Sequence, residues 1–186
     1  MKLYLLTQKT KLVVEKLKPL HLPLILCALI IVLAALSYIV FHNPHQQLQH
    51  DIFATAQKIH HFYRDRPGYW QLATNTAIED KLVVGTLAKK EEFDVRIGQG
   101  LDGDTGLPSD MSFNIVLRHL NKSACINLSE LPVSEDSKLL LQKITLINDN
   151  EMIEYAWGAE NPLPIARYSM RQKCQPRENT LVWTFQ

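Results

Sequence analysis

Five of the seven histidines, His42, His45, His50, His60 and His61, fall within twenty residues. Imidazoles grouped in this way can hold a metal ion, which asks for three or four ligands brought to one point. His42 and His45 have helical spacing, yet no carboxylate or cysteine stands in register to complete a site. The cluster reads as interfacial polar groups, and no metal or other cofactor is expected. Asp102-Gly103-Asp104 has the opening of a calcium loop. The twelfth position counted from Asp102 is Phe113, where such a loop needs a bidentate glutamate, so the segment reads as a turn. The acid pairs Glu79-Asp80 and Glu91-Glu92 are adjacent residues that point to different faces, as solvated charges do. No serine, cysteine or threonine has a nucleophile elbow around it, and no glycine-rich phosphate loop precedes a helix. The chain is expected to have no catalytic residues and to be no enzyme. Asn121-Lys122-Ser123 and Asn127-Leu128-Ser129 match the glycosylation pattern, which matters only in a eukaryotic secretory route.

What would position these residues begins with the run Leu22–Phe41, which carries no charge. Twenty residues of helix rise about 30 Å, the thickness of a bilayer's hydrocarbon core. A cleavable signal ending at Ala35-Leu36-Ser37 is the rival reading. The long positive region before the run and its continuation through Tyr38-Ile39-Val40-Phe41 favour an uncleaved anchor. Lys2, Lys9, Lys11, Lys16 and Lys18 precede the run against one acid, Glu15, and no lysine or arginine follows it before Lys58. This asymmetry predicts a single membrane pass with the N-terminus cytoplasmic and the C-terminal part exported. Cys27 then sits in the bilayer as an apolar filler, while Cys125 and Cys174 enter an oxidising compartment. There they are expected to form a disulfide, the alternative being two free thiols.

The domains expected are a basic tail over 1–21, a transmembrane helix over 22–41, an amphipathic continuation over 42–66 and a globular domain over 67–186. About 140 residues are enough for one core. A net charge of +1 and no charged block after the anchor give no footprint for nucleic acid. Leu48, Ile52, Phe53, Ala56, Ile59, Phe62 and Tyr63 recur at spacings of three and four, one apolar helical stripe that should pack on a sheet. Pro67-Gly68 ends it. A small helix capped by Asn75 or Thr76 is expected to run to Gly85. Alternation then predicts strands at Phe93–Ile97 and Ser112–Leu117, a helix at Ser134–Leu141, and strands at Lys143–Ile147 and Thr180–Phe185. Residues 155–171 have no clear period and read as irregular. The sum is an α+β fold, a long N-terminal helix packed on antiparallel strands.

In this order the chain resembles the type IV pilins, specifically the class b branch. The resemblance is carried by the apolar-then-amphipathic helix ending near Phe62-Tyr63, then Tyr69-Trp70, and the turn Gly100-Leu101-Asp102-Gly103. It continues through Ser112-Phe113-Asn114-Ile115, Cys125-Ile126-Asn127-Leu128, Cys174 and the terminal Asn179–Phe185. It implies a pilin-like fold with a C-terminal disulfide-closed region. It also implies a non-enzymatic subunit or accessory component of a type IVb pilus, secretion or conjugation apparatus in a bacterial inner membrane, with other pilin-like subunits as partners. The alternative is a membrane-tethered periplasmic binding or sensing module that does not polymerise. The family's glycine before the cleavage site and the glutamate at the mature fifth position have no counterpart, since the first glycine is Gly68 and Glu15 lies outside the apolar run.

Overall fold

The computed structural model describes residues 25–33, 44–88, 94–101, 108–130 and 140–186. The chain divides into two compact units, Met1–Asn43 and Pro44–Gln186. In the first, residues 25–33 form helix α1, whose side chains from Ile25 to Leu33 include seven large apolar groups between 55 and 67 % exposed. The basic tail, Asp102–Asp104 and the helix expected over Ser134–Leu139 lie outside the described residues.

The long helix expected from Leu22 to Tyr63, transmembrane and then amphipathic, is corrected here. Among the described residues no helix is long and apolar enough to cross a membrane. The described part of the apolar run is α1, residues 25–33, and the next described helix is α2, Pro44–Tyr63. Proline lacks an amide donor, so it is tolerated in the first turn of a helix and disfavoured in its interior. The polar residues Gln46, Gln47, Gln49, His50 and Asp51 then make the first turns of α2 unlike a lipid-embedded segment. Among the described residues the fold is α+β, with a five-stranded antiparallel sheet and a disulfide, and without that long apolar helix.

The second unit holds the sheet. Its strands are β1 (Asp94–Leu101), β2 (Pro108–Leu120), β3 (Leu141–Ile147), β4 (Met152–Ala156) and β5 (Asn179–Phe185). They lie in the order β1-β2-β5-β3-β4, and every neighbouring pair is antiparallel. The register aligns apolar residues in rows across the sheet. Ile97, Ile115, Trp183, Ile144 and Tyr155 form one row, and Val95, Leu117, Leu181, Leu146 and Ile153 the next. Because side chains alternate, a slip of one residue in any strand would turn its row to the opposite face. That opposite face carries Asp94 between Arg96 and Arg118, at 3.4 and 3.3 Å, and the pair Lys143–Glu154 at 2.8 Å.

α2 lies on the apolar face. Leu48, Ile52, Ala56, Ile59 and Tyr63 are buried, and Phe53 and Phe62 pack half-buried against the same core. Rings run in contact from the helix into the sheet: Phe62 to Tyr63, Tyr63 to Tyr69, Tyr69 to Phe113, and Phe113 to Phe185, with centroids 4.7 to 5.5 Å apart. Phe53 meets Phe185 edge-on at 5.9 Å. Such pairs contribute about 0.5–1.5 kcal/mol each beyond the area they bury.

Three elements differ from the sequence-based expectation. The small helix α3 spans Thr74–Glu79 and its N-cap is Ala73, not Asn75 or Thr76. The Thr74 hydroxyl is held instead by the edge of β1, accepting from Ile97 N at 2.8 Å and donating to Ile97 O at 3.2 Å. Cys125 and Leu128, read from the sequence only as what the Ser112–Leu117 strand leads into, stand on a helix, α4 (Lys122–Ser129), capped by the Asn121 side chain, which accepts from Ala124 N at 2.9 Å. The stretch 155–171, expected to be irregular, finishes β4 and then begins α5 (Arg167–Lys173).

One buried charge fixes how the chain leaves α3. Asp51, 2 % exposed, accepts from both the amide and the hydroxyl of Thr86 at 2.7 Å and from Gln47 Nε2 at 3.0 Å. Gly85, with φ +57°, lies so close that an added Cβ would stand 2.3 Å from Asp51 Oδ2. Gly85→Ala is therefore expected to cost more than about 1 kcal/mol in urea unfolding, through left-handed strain and the clash together. Asp51→Ala should cost about 1–3 kcal/mol by removing the hydrogen bonds that its buried carboxyl accepts from Thr86 and Gln47. Midpoints unchanged from the parent chain would show that this contact does not hold the segment.

Candidate functional site

The stripe residues converge as a packing surface, and the opposite side of α2 carries the polar groups. His42 lies outside the described residues. His45 is half-buried, His50 and His61 are exposed, and His60 places Nδ1 3.1 Å from the Tyr69 hydroxyl. Among the described residues no group of three or more histidines, cysteines or acids could hold a metal ion. Burial raises the pKa of Tyr69, and burial is also the first cause of the raised pKa of Tyr63, with Arg66 opposing it and Asp80 adding to it. Arg66 sits over both the Phe62 and Tyr63 rings, 4.2 and 4.9 Å from their centroids, a cation–π arrangement at the end of α2.

A shallow groove of about 530 Å³ opens on this side of α2. Ala54, Phe62 and Leu82 give it apolar walls, and Lys58, His61 and Lys81 stand around them. Lys58 Nζ donates to the Lys81 carbonyl at 3.5 Å, which ties the helix to the turn after α3. Sequence reasoning passed over these residues because a lysine on the polar face of a helix is ordinary. The sequence places Asp51 on that polar face with Gln47, Gln57, Lys58 and Arg64, and only its burial, 2 % exposed, leaves the exposed positions of α2 without an acid.

Cys125 and Cys174 are joined, their Cα atoms 6.1 Å apart, and both are buried. The bond ties α4 to the end of α5. Around it, Arg167 donates to Glu130 Oε2 at 2.7 Å and to Asn127 Oδ1 at 3.1 Å, while Asn127 Nδ2 donates to Ser123 Oγ at 3.3 Å. Gln49 of α2 donates to the carbonyls of Asn127 and Glu130 at the end of α4. Three helices are thus joined by the bond and by side chains that satisfy open carbonyls. The buried Asn179 does the same at the start of β5, donating to Leu120 O and Gln175 O and accepting from Gln175 N. Lys173 donates to Glu151 Oε2 at 2.8 Å, and that hydrogen bond is the first cause of its raised pKa.

A second feature is apolar and exposed. Trp70, Leu101 and Met111 are 51, 57 and 67 % exposed. Leu101 and Met111 lie near the end of the β1–β2 pair where Leu101 faces Pro108, and Tyr69 N donates to Asp110 O there at 3.0 Å. The geometry offers contact surfaces and a rigid frame beneath them. No protein-family model matches the chain, and no curated protein matches it.

Two outcomes follow from this geometry. The disulfide closes a separation of 49 residues, for which the chain-entropy relation gives about 4 kcal/mol. A Cys125→Ser/Cys174→Ser chain should lose several kcal/mol in urea unfolding, and mass mapping of parent chain produced under oxidising conditions should show the two cysteines linked; two free thiols there would refute it. Tyr63, Tyr69 and Lys173 all hold their protons more tightly folded than unfolded. Their contributions are complete below the unfolded values of 10.0 and 10.5 and fade as pH rises through the higher folded values. Unfolding free energy should therefore decline above about pH 10, less steeply in Tyr69→Phe, and an equally steep decline in that variant would discount the buried phenol.

Proposed function

We propose that this chain is a non-enzymatic, membrane-tethered subunit or accessory component of a type IVb pilus or a related secretion or conjugation apparatus, its Pro44–Gln186 unit on the exported side of a bacterial inner membrane. The observation that carries the tether is the apolar surface of α1, seven large side chains more than half exposed within nine residues. An unbroken apolar surface of that kind is unstable in water and is covered in lipid. The lysines on its N-terminal side orient the chain, and the buried Cys125–Cys174 bond suits an oxidising compartment. The assembly role rests on the pilin resemblance together with the stripe-on-sheet packing and the disulfide-held C-terminal half. The chain would act by presenting a rigid surface from the membrane to neighbouring subunits.

A second reading, a tethered module that does not polymerise, is favoured by one observation: no glycine precedes Gly68 and Glu15 is the only acid before the apolar run. Expression in a Gram-negative host with an active prepilin peptidase tests both. The full-length chain should stay with membranes after an alkaline carbonate wash, and Leu26→Asp/Ile30→Asp should release it. Recovery of the parent chain in the soluble fraction would sink the tether. Filaments that co-sediment with the chain would support assembly, and an intact membrane-bound chain without them would leave the second reading standing.

A further inference from the structure

We propose that the groove on the outer face of α2 is a docking surface for an acidic, apolar peptide segment of a partner protein. Its apolar walls come from Ala54, Phe62 and Leu82. At about 530 Å³, and open along one side, it suits an extended or helical segment laying a few side chains into it rather than a molecule enclosed on all sides. Its charge selects the segment. Lys58 and Lys81 stand at the groove with His61 beside them, and no carboxylate lines it. The contact from Lys58 Nζ to the Lys81 carbonyl brings the two lysines to the same place without neutralising either.

The helix that forms one wall reinforces this sign. Asp51 is the sole acid of α2, and it is buried and occupied by Thr86 and Gln47, so the exposed positions from Gln46 to His61 offer only neutral or cationic groups. Asp65, Glu79 and Asp80 are exposed nearby but are not among the lining residues. Carboxylates of a partner can therefore approach the two ammonium groups while its apolar side chains enter between them, a pairing that sets partner choice and approach rate more than depth of binding. This surface belongs wholly to the Pro44–Gln186 unit, and the inference does not rest on the pilus reading.

The test uses full-length chain in zwitterionic-lipid nanodiscs and a fluorescein-labelled amphipathic peptide of about 16 residues, long enough to be helical, with leucines at helical spacing and glutamates flanking them. Anisotropy should show saturable binding of this peptide and at least about tenfold weaker binding of its glutamate-to-lysine counterpart. Lys58→Glu/Lys81→Glu should invert that preference, and Ala54→Trp, which fills the groove, should weaken the acidic peptide, with circular dichroism unchanged in both. Equal binding of the two peptides, or binding indifferent to both variants, would overturn the proposal. So would a Lys58- and Lys81-dependent affinity for anionic-lipid nanodiscs without peptide binding, or self-association abolished by the double variant; these outcomes give the groove to a lipid surface or to a second copy.

Discussion

Burial of the α2 stripe against the three central strands is the constraint on which the second unit depends. Ile52, Ala56 and Ile59 have no measurable exposure, and neither do Ile115, Ile144 and Trp183 in the sheet beneath them. Each large aliphatic side chain in such a place is worth about 1.5–3 kcal/mol over its exposed state. Together they decide the register, because only one alignment of β2, β5 and β3 puts three rows of apolar side chains under the helix. The centre of that arrangement is the last strand in the chain. β5 sits between β2 and β3, so neither can gain its inner partner until the C-terminal residues are in place. Pairing across such separations must meet the cost of closing long loops before its contacts form.

That topology gives the disulfide and the buried polar groups their places. The connection into β5 is where regular structure breaks, and there Asn179 satisfies the backbone at Leu120 and Gln175 while Cys174 is tied to α4. Gln49 reaches from α2 to the last carbonyls of α4, and Thr74 covers part of the β1 edge. A hydrogen bond of this kind adds about 0.5–1.5 kcal/mol net, so its importance lies less in energy than in position. A buried carbonyl left without a partner would cost more than the bond gains, and each of these side chains closes one such gap. Asp51 has the opposite role, accepting from the amide and the hydroxyl of Thr86, and as a carboxylate it is the least replaceable of the set.

Residues with a strong period were legible in the sequence and those without one were not. The spacing of Leu48, Ile52, Ala56, Ile59 and Tyr63 marks a helix face, and the alternation in Ser112–Leu117 and Thr180–Phe185 marks strands, because burial on one side writes its period into composition. β4 escaped notice because an edge strand has little to bury and Met152 and Glu154 face water. α5 escaped because it shows one buried apolar side chain, Met170, among Arg167, Tyr168, Arg171 and Lys173. The end of the apolar run was misread for another reason. Hydropathy and periodicity join Leu22–Phe41 to the stripe that follows it, while the proline chemistry at His42-Asn43-Pro44, which reads as a kink, argues against one unbroken helix. The groove was out of reach for a third: its second wall, Lys81 and Leu82, is set beside Lys58 by tertiary packing.

The two faces of α2 are chemically linked, and the link runs through Asp51. A helix of this length ordinarily scatters carboxylates among its exposed positions, where they oppose nearby lysines and blur the sign of the surface. Here the single acid faces inward, because the chain leaving α3 needs an acceptor for two donors of Thr86 and an acceptor that Gly85 leaves room for. Meeting that internal demand leaves Gln57, Lys58 and His61 to define the outer face with no compensating charge on the same helix. The cationic character of the groove is thus in part a consequence of how the fold closes on its other side. A change that moved the acid outward would both open the turn at Gly85 and cancel the field at Lys58, so stability and surface charge are governed at one position.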